Sequence, residues 1–398
     1  MTAILDKITP LDQLKVASRR VLVRVDFNVP LTPDGRVSDD TRVREAMPTI
    51  KYLVEQGARV IVASHLGRPK KGRDMRFTLA PAGERLAEFL SMDVVLTDEC
   101  VGDGARKVIH DLRDGRVAIL ENLRFHPGEE SNDPAFAAEL AQLCDVYVDD
   151  AFGAVHRAHA SVDALPRLVH DRGAGLLLMK ELKALGSLMT DAKRPYAAVL
   201  GGAKVSDKIA VIESLLTRVD MLLVGGAMAN TFLAALGRDM GRSVIEPDKL
   251  SLARALVEKA RAKKVQLVLP TDLVVAASPE APGGAVVGVD SVAPGMMALD
   301  VGPATVAAFR DKLLGARSIF WNGPMGLFEK APFAAGTLGV ARAIAEAAAF
   351  SVVGGGDSVA AVQQANLAGR FSHVSTGGGA SLELIEGRKL PGVEALRA

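Results

Sequence analysis

A glycine-rich loop near the carboxyl end of the chain has the composition of a phosphate-binding site. The apolar run Phe350–Val353 leads into the loop Gly354–Ser358, of sequence GGGDS, and the residues after it favour a helix. Backbone amides at the start of a helix are unpaired and lie at the positive end of its dipole, which favours bound anions. Asp357 would repel a bare phosphate but suits one that carries Mg²⁺, and Ser358 offers an N-cap hydroxyl. Glycine turns also occur where a chain only has to bend, so this loop alone leaves both interpretations open.

Three more glycine turns border short apolar runs. They lie at Gly201–Gly202, Gly225–Gly226 and Gly377–Gly379. Four such turns predict several backbone cradles along one edge of a parallel sheet, where open α/β folds bind ligands. Lys204 and Lys208 follow the first turn and share a face if that segment is helical, which would suit transferring phosphates. The chain has neither G-x-x-x-x-G-K-[ST] nor G-x-G-x-x-G, which argues against a P-loop NTPase and an ordinary dinucleotide-binding dehydrogenase.

Composition and charge narrow the class of protein. The chain has 398 residues, of which 49% are hydrophobic and only 4% aromatic, as expected for two or three domains with aliphatic cores around buried parallel sheets. A net charge of +1 gives no sign of a nucleic acid partner. Cys100 and Cys144 show no metal or redox spacing, so we expect a reducing, cytoplasmic location. We find no targeting segment and no apolar run of roughly 18 residues, so we expect no membrane span.

Strand-like and helix-like segments alternate along the chain in two series. The first series has strands predicted at Arg20–Val25, Ala58–Ala63, Val94–Leu96, Val117–Leu120 and Val146–Val148. The second has strands predicted at Ala197–Leu200, Met221–Val224, Val265–Leu269, Ser318–Trp321 and Phe350–Val353. Between the series, the leucine-rich segment Gly173–Met189 predicts one connecting helix. The predicted fold is α/β, with two doubly wound parallel-sheet (Rossmann-like) domains joined by a helix and hinge.

The first series carries cationic side chains at the ends of its strands. If the loops share one edge of the sheet, a single pocket receives Arg42, Arg68, Arg124, Arg157 and His65. Guanidinium groups bind phosphate and carboxylate through paired, charge-assisted hydrogen bonds, so this half should hold a small, multiply anionic molecule. Any one of these arginines could instead be a solvated surface charge. His156 and His159, spaced H-x-x-H, could share one face of a helix, but no third metal ligand lies at suitable spacing. A structural or anion-contacting role is therefore favoured over a metal site for these two histidines and for His65.

The segment Trp321–Glu329 contains the only tryptophan and follows a strand of the second series. Glu329 would accept hydrogen bonds from a ribose, although the segment is also consistent with a tight connection anchored by aromatic packing.

Together these segments closely resemble phosphoglycerate kinases. The matching stretches run in the family's order and are Arg24–Asn28, Ser64–Pro69, Glu121–His126, Asp150–His159, Gly201–Ile209, Gly225–Leu233, Trp321–Glu329, Gly354–Ser358 and Ser375–Glu386. The resemblance implies a kinase of glycolysis or of carbon fixation, expected to be a monomer. Such an enzyme exchanges a phosphoryl group between 1,3-bisphosphoglycerate and ADP, giving 3-phosphoglycerate and ATP, with Mg²⁺ on the nucleotide. The attacking carboxylate has a pKa of roughly 3.5 and needs no general base.

The resemblance also implies roles for individual residues. The acid substrate is expected at Asp26, Phe27, Asn28, Arg42, His65, Leu66, Gly67, Arg68, Arg124 and Arg157. The nucleotide is expected at Lys204, Lys208, Gly225, Gly226, Asn322, Glu329, Gly355, Gly356, Asp357 and Ser358, with Asp357 holding the Mg²⁺. The phosphoryl group in transfer is expected to meet Arg42, Lys204, Gly378 and Gly379.

The expected domain boundaries follow from the leucine-rich connecting segment and from the family resemblance. We expect an acid-binding domain over residues 1–172, a connecting helix over 173–189, and a nucleotide-binding domain over 190–380, with residues 381–398 returning to the first domain. Three residues depart from the family's usual pattern: Ser358 replaces threonine, and Ala227 and Ala298 replace glycines. Two alternatives stay open at this stage. They are a non-catalytic sensor that clamps an anionic metabolite, and another acyl-phosphate kinase on a similar scaffold.

Overall fold

The computed structural model describes residues 3–70 and 72–397, and its first sheet forms from the first series of β-branched runs. The strands are β1 (Arg20–Arg24), β2 (Arg59–Ala63), β3 (Val94–Leu96), β4 (Val117–Ile119), β5 (Val146–Asp149) and β6 (Asp171–Ala174). In this described part they pair in parallel in the order β3-β4-β2-β1-β5-β6. The helices are α1 (Thr41–Glu55), α2 (Ala80–Leu90), α3 (Asp103–Asp111), α4 (Pro134–Ala141), α5 (Leu165–Leu168) and α6 (Leu176–Thr190).

The second series also forms a parallel sheet. Its region contains β7 (Tyr196–Leu200), β8 (Met221–Val224), β9 (Gln266–Val268), β10 (Asp272–Ala276), β11 (Ala285–Gly288), β12 (Met297–Val301), β13 (Ser318–Asn322), β14 (Phe350–Gly354) and β15 (His373–Val374). The helices of this region are α7 (Ile209–Leu215), α8 (Gly226–Ala235), α9 (Leu250–Ala262), α10 (Pro303–Leu314), α11 (Ala335–Glu346), α12 (Gly356–Gln364) and α13 (Gly379–Glu386). A last helix, α14 (Pro391–Arg397), follows them in the chain.

Two doubly wound parallel sheets were predicted, and both are present. The order of the second is β15-β14-β13-β7-β8-β9, with all of these neighbours parallel. An additional small sheet, β11-β10-β12, is antiparallel and was not predicted. It encloses its own apolar cluster, in which Leu273 and Val275 pack with Leu233 and Met240. The fold is therefore α/β as expected, with one further antiparallel element.

The chain divides into two compact units, which we call the first unit and the second unit. The first comprises Met1–Lys183 with Lys389–Ala398, and the second comprises Ala184–Arg388. The division falls inside α6. The returning segment is shorter than the expected 381–398, because α13 packs on α7, where the Ser214 hydroxyl donates to the Ile385 carbonyl at 2.7 Å. The final helix α14 belongs to the first unit, where the Gly392 amide donates to the Val155 carbonyl at 2.9 Å.

The first turn of α6 is capped by groups from distant parts of the first unit. The Leu176 amide donates to Thr49 Oγ1 on α1 at 2.9 Å, and the Leu178 amide donates to Asp150 Oδ1 at 3.1 Å. Gly175 is needed beside this cap, because a Cβ there would lie 2.2 Å from Asp150 Oδ1. Asp150 is fully buried, and burial raises the pKa of its carboxyl to about 7. Within the described residues, no helix is long and apolar enough to cross a membrane.

We predict that Asp150→Asn removes a pH-dependent loss of stability. Asparagine keeps an oxygen for the Leu178 amide but cannot ionise. The pKa of Asp150 rises from 3.8 to about 7 on folding, so the folded chain binds the proton more tightly and wild-type stability falls as pH rises through this interval. The difference in free energy of unfolding, variant minus wild type, should therefore increase by on the order of 1 kcal/mol for each unit that the pH rises between the two pKa values.

Denaturant titrations at about pH 5, 6 and 7 measure this difference. The exposed Asp290→Asn serves as the control, since it changes the same charge on the surface. A difference between Asp150→Asn and wild type that stays constant with pH would contradict a raised pKa.

Candidate active site

The cationic side chains of the first unit lie at one edge of its sheet. Residues 25–28 follow β1, residues 64–68 follow β2, residues 120–124 follow β4 and residues 150–157 follow β5. Because all of these strands are parallel, their carboxyl ends share one edge. Arg42 lies in the first turn of α1 rather than in the loop before it. We call this set of loops and side chains the acid pocket.

Arg42 is held in place before any substrate binds. Its Nη1 donates to Asp26 Oδ2 at 3.0 Å and to the Asn28 carbonyl at 3.0 Å, and its side chain remains 39% exposed. Burial alone would raise the pKa of Asp26, but the guanidinium groups of Arg42 and Arg24 hold it below its usual value. Asp26 therefore orients Arg42 and leaves part of the guanidinium accessible to an anion.

His65 is not the cation that the sequence led us to expect. The ring is 4% exposed, and Arg24 Nη2 lies 3.1 Å from His65 Nδ1. Burial, with the positive charges of Arg24, Arg124 and Arg157 nearby, holds the pKa of His65 well below its usual value despite Asp26. The imidazole is therefore neutral at pH 7, and the positive charge of the pocket comes from its arginines.

Arg124 connects two loops of the acid pocket. Its Nη1 donates to the Gly67 carbonyl at 2.6 Å, while its Nε lies 3.0 Å from Glu130 Oε1. Its backbone amide donates to Asn122 Oδ1 at 3.0 Å, and the same oxygen accepts from the Leu66 amide at 3.2 Å. The buried side chain of Asn122 thus joins two loops: the loop after β4, which contains Arg124, and the loop after β2, which contains Arg68.

The remaining predicted residues of the acid pocket differ in how far their side chains are exposed to solvent. Arg68 is exposed and Arg157 is half-buried. The side chains of Phe27 and Leu66 are buried, and the Phe27 amide donates to Ser64 Oγ at 2.8 Å. Phe27 and Leu66 therefore hold the shape of the loops, whereas the arginines present charge to the pocket.

The glycine turns of the second unit also follow parallel strands. Gly201 follows β7, Gly225 follows β8, Gly323 follows β13 and Gly355 follows β14. Beside them lies a cavity of about 320 Å³, a volume within the usual range for a small-molecule site. Its lining, entirely within the second unit, includes Gly226, Ala227, Ala298, Leu299, Met325, Glu329 and Asp357. We call this cavity, together with the glycine turns and side chains beside it, the nucleotide pocket, after the ligand that the sequence led us to expect. Both alanines that depart from the family pattern line the cavity.

Two glycines of the nucleotide pocket cannot carry a side chain. Gly226 has φ +67°, and a Cβ there would lie 2.6 Å from the Gly202 backbone nitrogen. Gly355 has φ +93°, and a Cβ there would lie 2.6 Å from Asn322 Nδ2. Only glycine therefore allows these turns to approach each other.

Lys208 is bound to the end of β13. Its Nζ donates to the Asn322 carbonyl at 3.0 Å and to Asn322 Oδ1, while Asn322 Nδ2 donates to the Gly354 carbonyl at 2.8 Å. Burial lowers the pKa of Lys208 to about 8, although Asp357 nearby opposes the shift. The ammonium is therefore partly desolvated and directed by Asn322, close to the loop that follows β14.

Two expectations for this pocket are wrong. Lys204 lies in an exposed loop before the 3₁₀ turn Ser206–Lys208, so the two lysines do not share a helical face. Ser358 does not cap α12, since the N-cap position is Gly355. The fully buried Ser358 hydroxyl instead accepts a hydrogen bond from the Gly323 amide. Ser358 thereby ties the loop after β14 to the loop after β13.

Gly378 and Gly379 lie at the start of the eight-residue helix α13. Gly378 occupies the N-cap position with φ +49°, and Gly379 is the exposed first residue of the helix. The Ser381 hydroxyl donates to the Gly378 carbonyl at 2.7 Å, which holds this turn.

Asp357 is the residue of the nucleotide pocket that would hold Mg²⁺. It is exposed in the first turn of α12, close enough to Lys208 to influence its pKa. No group of three or more histidine, cysteine, aspartate or glutamate side chains in the described ranges forms a metal site. A single carboxylate fits Mg²⁺, which keeps several waters and binds chiefly through substrate phosphates.

Comparisons with known proteins agree with this geometry. The family model described as phosphoglycerate kinase matches residues 11–388. A protein from Anaeromyxobacter dehalogenans (strain 2CP-C) named phosphoglycerate kinase is 56% identical over 388 residues, which cover 97% of this chain and 98% of that protein. One from Moorella thermoacetica with the same name is 53% identical, with the same coverage.

Two solved structures match as well. The phosphoglycerate kinase from Coxiella burnetii has a TM-score of 0.90 and 39% identity, and that from Pyrococcus horikoshii OT3 has a TM-score of 0.83 and 34% identity. Each comparison covers 98% of both chains.

The chain belongs to the phosphoglycerate kinase family. The identification made from the motifs is confirmed, as is the prediction of an enzyme, a phosphotransferase with a carboxyl group as acceptor. The alternative of a non-catalytic sensor is thereby excluded.

Sequence reasoning assigned no role to one buried residue beside the acid pocket. Arg24 ends β1 and is fully buried behind His65. It opens the stretch Arg24–Asn28, and an arginine at the end of a strand predicted to be buried was the signal that it needs buried partners.

We predict that ATP affinity falls as pH rises above about 8, because Lys208 loses its proton there in the free enzyme. A phosphate favours the charged ammonium, so binding at about pH 8.5 should be accompanied by proton uptake. Calorimetry in buffers with different ionisation enthalpies counts these protons. Lys208→Arg keeps its charge throughout and should show neither effect. Proton uptake that is the same in wild type and Lys208→Arg would contradict the assignment.

Proposed function

We propose that the chain catalyses reversible phosphoryl transfer from 1,3-bisphosphoglycerate to Mg²⁺-ADP, giving 3-phosphoglycerate and ATP. The observation that carries this proposal is a pair of residue sets whose chemistry suits anions, one at the carboxyl edge of each parallel sheet. The acid pocket offers arginines, and the nucleotide pocket offers glycine turns, a lysine and one carboxylate. A reaction between two anions requires groups of this kind on both sides.

In this proposal the acid pocket binds the three-carbon substrate. Arg68, Arg124 and Arg157 contact its phosphate or carboxylate through charge-assisted hydrogen bonds. His65 adds a neutral donor, and Asp26 and Asn28 orient the substrate and Arg42. The backbone around Phe27, Leu66 and Gly67 supports these contacts.

The nucleotide pocket binds ATP or ADP. Gly225 and Gly226 lie beside the adenine and Glu329 accepts hydrogen bonds from the ribose. Lys208 and Asn322 contact the phosphates, as does the loop over Gly355, Gly356 and Ser358. Asp357 would hold Mg²⁺, which neutralises phosphate charge when it is bound. The apolar lining residues Ala227 and Leu299 suit the flat faces of a nucleobase.

The chemistry needs positioning and charge neutralisation rather than a general base. The attacking carboxylate of 3-phosphoglycerate is already ionised at pH 7, since its pKa is roughly 3.5. The lowered pKa of His65 keeps it from acting as a proton carrier near neutral pH. Arg42, Lys204 and the amides of Gly378 and Gly379 then stabilise the charge of the phosphoryl group in transfer, where the transition state is loose.

Transfer also requires the two units to close around the substrates, with the connecting helix as part of the hinge. Each unit carries one half of the proposed machinery, and both acyl phosphates and ATP hydrolyse if water stays in the site. A ligand that touches one unit alone has little differential affinity for a closed state, so both substrates are needed to close it.

The same proposal includes a monomeric enzyme in the cytoplasm. Both Cys100 and Cys144 are free and buried, which suits a reducing compartment. No nucleic acid or membrane partner is part of the proposal.

A coupled assay with purified protein tests the proposed function directly. We expect ATP-dependent turnover with 3-phosphoglycerate, and no turnover with acetate at the same concentration. Turnover with acetate alone would favour another acyl-phosphate kinase and overturn the substrate assignment.

We predict that Arg42→Ala lowers kcat by about 10²–10³ while ATP affinity changes little, because a charge that stabilises the transferring phosphoryl group is lost. Steady-state kinetics with both substrates saturating measures kcat. The control is Arg44→Ala on the same helix, which removes an exposed arginine paired with Asp40. If kcat of Arg42→Ala stays within twofold of wild type, Arg42 does not contact the reacting group.

We predict that Asp357→Asn weakens binding of Mg²⁺-ATP by at least tenfold and leaves 3-phosphoglycerate binding intact, because asparagine lacks the charge that a hard cation prefers. Calorimetric titration of each ligand measures the two affinities. Asp207→Asn is the matched control, since Asp207 also influences Lys208 but carries no metal role. If both variants weaken binding of Mg²⁺-ATP equally, Asp357 acts only through its electrostatic effect on Lys208 and does not hold the metal.

A further inference from the structure

Behind the acid pocket lies a buried arginine whose donors are all directed inward. Arg24 is 0% exposed; its Nε donates to Ser161 Oγ at 2.8 Å and its Nη1 donates to the Val25 carbonyl. Its Nη2 lies 3.1 Å from His65 Nδ1. An arginine in this position does not reach solvent, so its contacts serve other protein groups.

Arg24 is itself fixed by a second layer of buried groups. The Ser161 hydroxyl donates to Glu129 Oε1 at 2.6 Å, and the Ser161 amide donates to Glu129 Oε2 at 2.9 Å. Glu129 is 0% exposed and accepts both hydrogen bonds from Ser161. The carboxyls of Asp149 and Asp26 also interact electrostatically with Arg24. The Tyr147 hydroxyl donates to the Ser161 carbonyl at 2.8 Å, which fixes the backbone that presents the serine. The order of contacts is therefore Glu129, Ser161, Arg24 and His65.

This arrangement determines which ring nitrogen of His65 carries the proton. A guanidinium has only donors, so the contact with Arg24 is a hydrogen bond only if Nδ1 is the acceptor. The proton of the neutral ring is then on Nε2. Asp26 Oδ1 would favour a protonated Nδ1, but it lies 4.0 Å away, beyond hydrogen-bond distance.

The other charged groups that act on the ring oppose a second proton. Among the described residues, four charged groups act most strongly on the His65 ring. Arg24, Arg124 and Arg157 are positive, and Asp26 is negative. In the described residues no group hydrogen-bonds His65 Nε2. That N–H is therefore available to a ligand.

We propose that Glu129, Ser161 and Arg24 are positioning residues that hold His65 in the neutral Nε2–H tautomer, so that it gives the acid substrate one directed donor. The inference rests on the proposed role of the acid pocket. The buried network then orients a substrate-binding side chain as well as stabilising the fold. Binding at His65 needs no protonation, so the contact persists across neutral pH, while the arginines supply the charge.

The tautomer is measured on the full-length protein by long-range ¹H–¹⁵N correlation spectra after ¹⁵N-histidine labelling, with His65→Gln to assign the signals. We expect Nδ1 of His65 to resonate as an unprotonated nitrogen and Nε2 as a protonated one at pH 7. A protonated Nδ1, alone or with Nε2, would overturn the proposal.

The cause of the tautomer is tested with Arg24→Met, which keeps length and removes every donor. We expect His65 to lose its single-tautomer signature and the Kd for 3-phosphoglycerate to rise about tenfold, with a smaller change in kcat. Arg24→Lys keeps one donor and should restore part of the signature. Because Arg24→Met is a buried change, Ser161→Ala provides a milder disruption with the same direction of effect.

Arg20→Met is the matched control, since Arg20 lies on the same strand but pairs with Asp145. It should leave the His65 signals unchanged. A wild-type His65 spectrum retained in folded Arg24→Met, or in both folded Arg24→Met and folded Ser161→Ala, would contradict the positioning role.

Addition of 3-phosphoglycerate to the wild type separates this inference from the proposed function. A shift of the Nε2 signal of His65 supports both. An unchanged Nε2 signal with the expected tautomer would refute the assignment of the acid to this pocket and the donor role of His65.

Discussion

Both candidate pockets depend on the parallel pairing of strands. Parallel pairing brings the carboxyl ends of strands that are far apart in the sequence to one edge, so loops separated by more than a hundred residues become neighbours. In the first unit this edge collects arginines, and in the second it collects glycine turns. An antiparallel arrangement would distribute the same loops over two edges and would separate the charges that the reaction needs together.

The sheet edge alone does not direct the side chains. Buried polar groups do so: Asn122 joins the loops after β2 and β4, and Asn322 joins Lys208 to the loop after β14. Each of these amides is almost fully buried and makes several hydrogen bonds. Such groups are costly to leave unpaired, so the loops are held in one arrangement before a ligand binds. Preorganised charge of this kind stabilises a transition state without rearrangement during the reaction.

The sequence predicted the two sheets because their central strands are buried, β-branched runs, a strong local signal. It did not predict β6, whose residues Asp171-Arg172-Gly173-Ala174 have little strand preference and are held by pairing with β5 and by a close approach of Gly173 to the Thr9 carbonyl. The antiparallel sheet was also missed, since its strands lie outside the two predicted series and β11 is largely exposed, which leaves little burial signal in the sequence. The positions of the arginines followed from the motifs, whereas the neutral state of His65 and the tie between Ser358 and Gly323 depend on buried partners distant in sequence.

The central claim is that neither unit holds a complete site and that both substrates are needed to bring the two halves together. Solution scattering measures this most directly, through the radius of gyration of the free enzyme, of each binary complex and of the ternary complex. The account predicts little change with 3-phosphoglycerate or Mg²⁺-ATP alone, and a clear decrease with both. A radius that stays the same in the ternary complex, with both ligands shown to be bound, would contradict it.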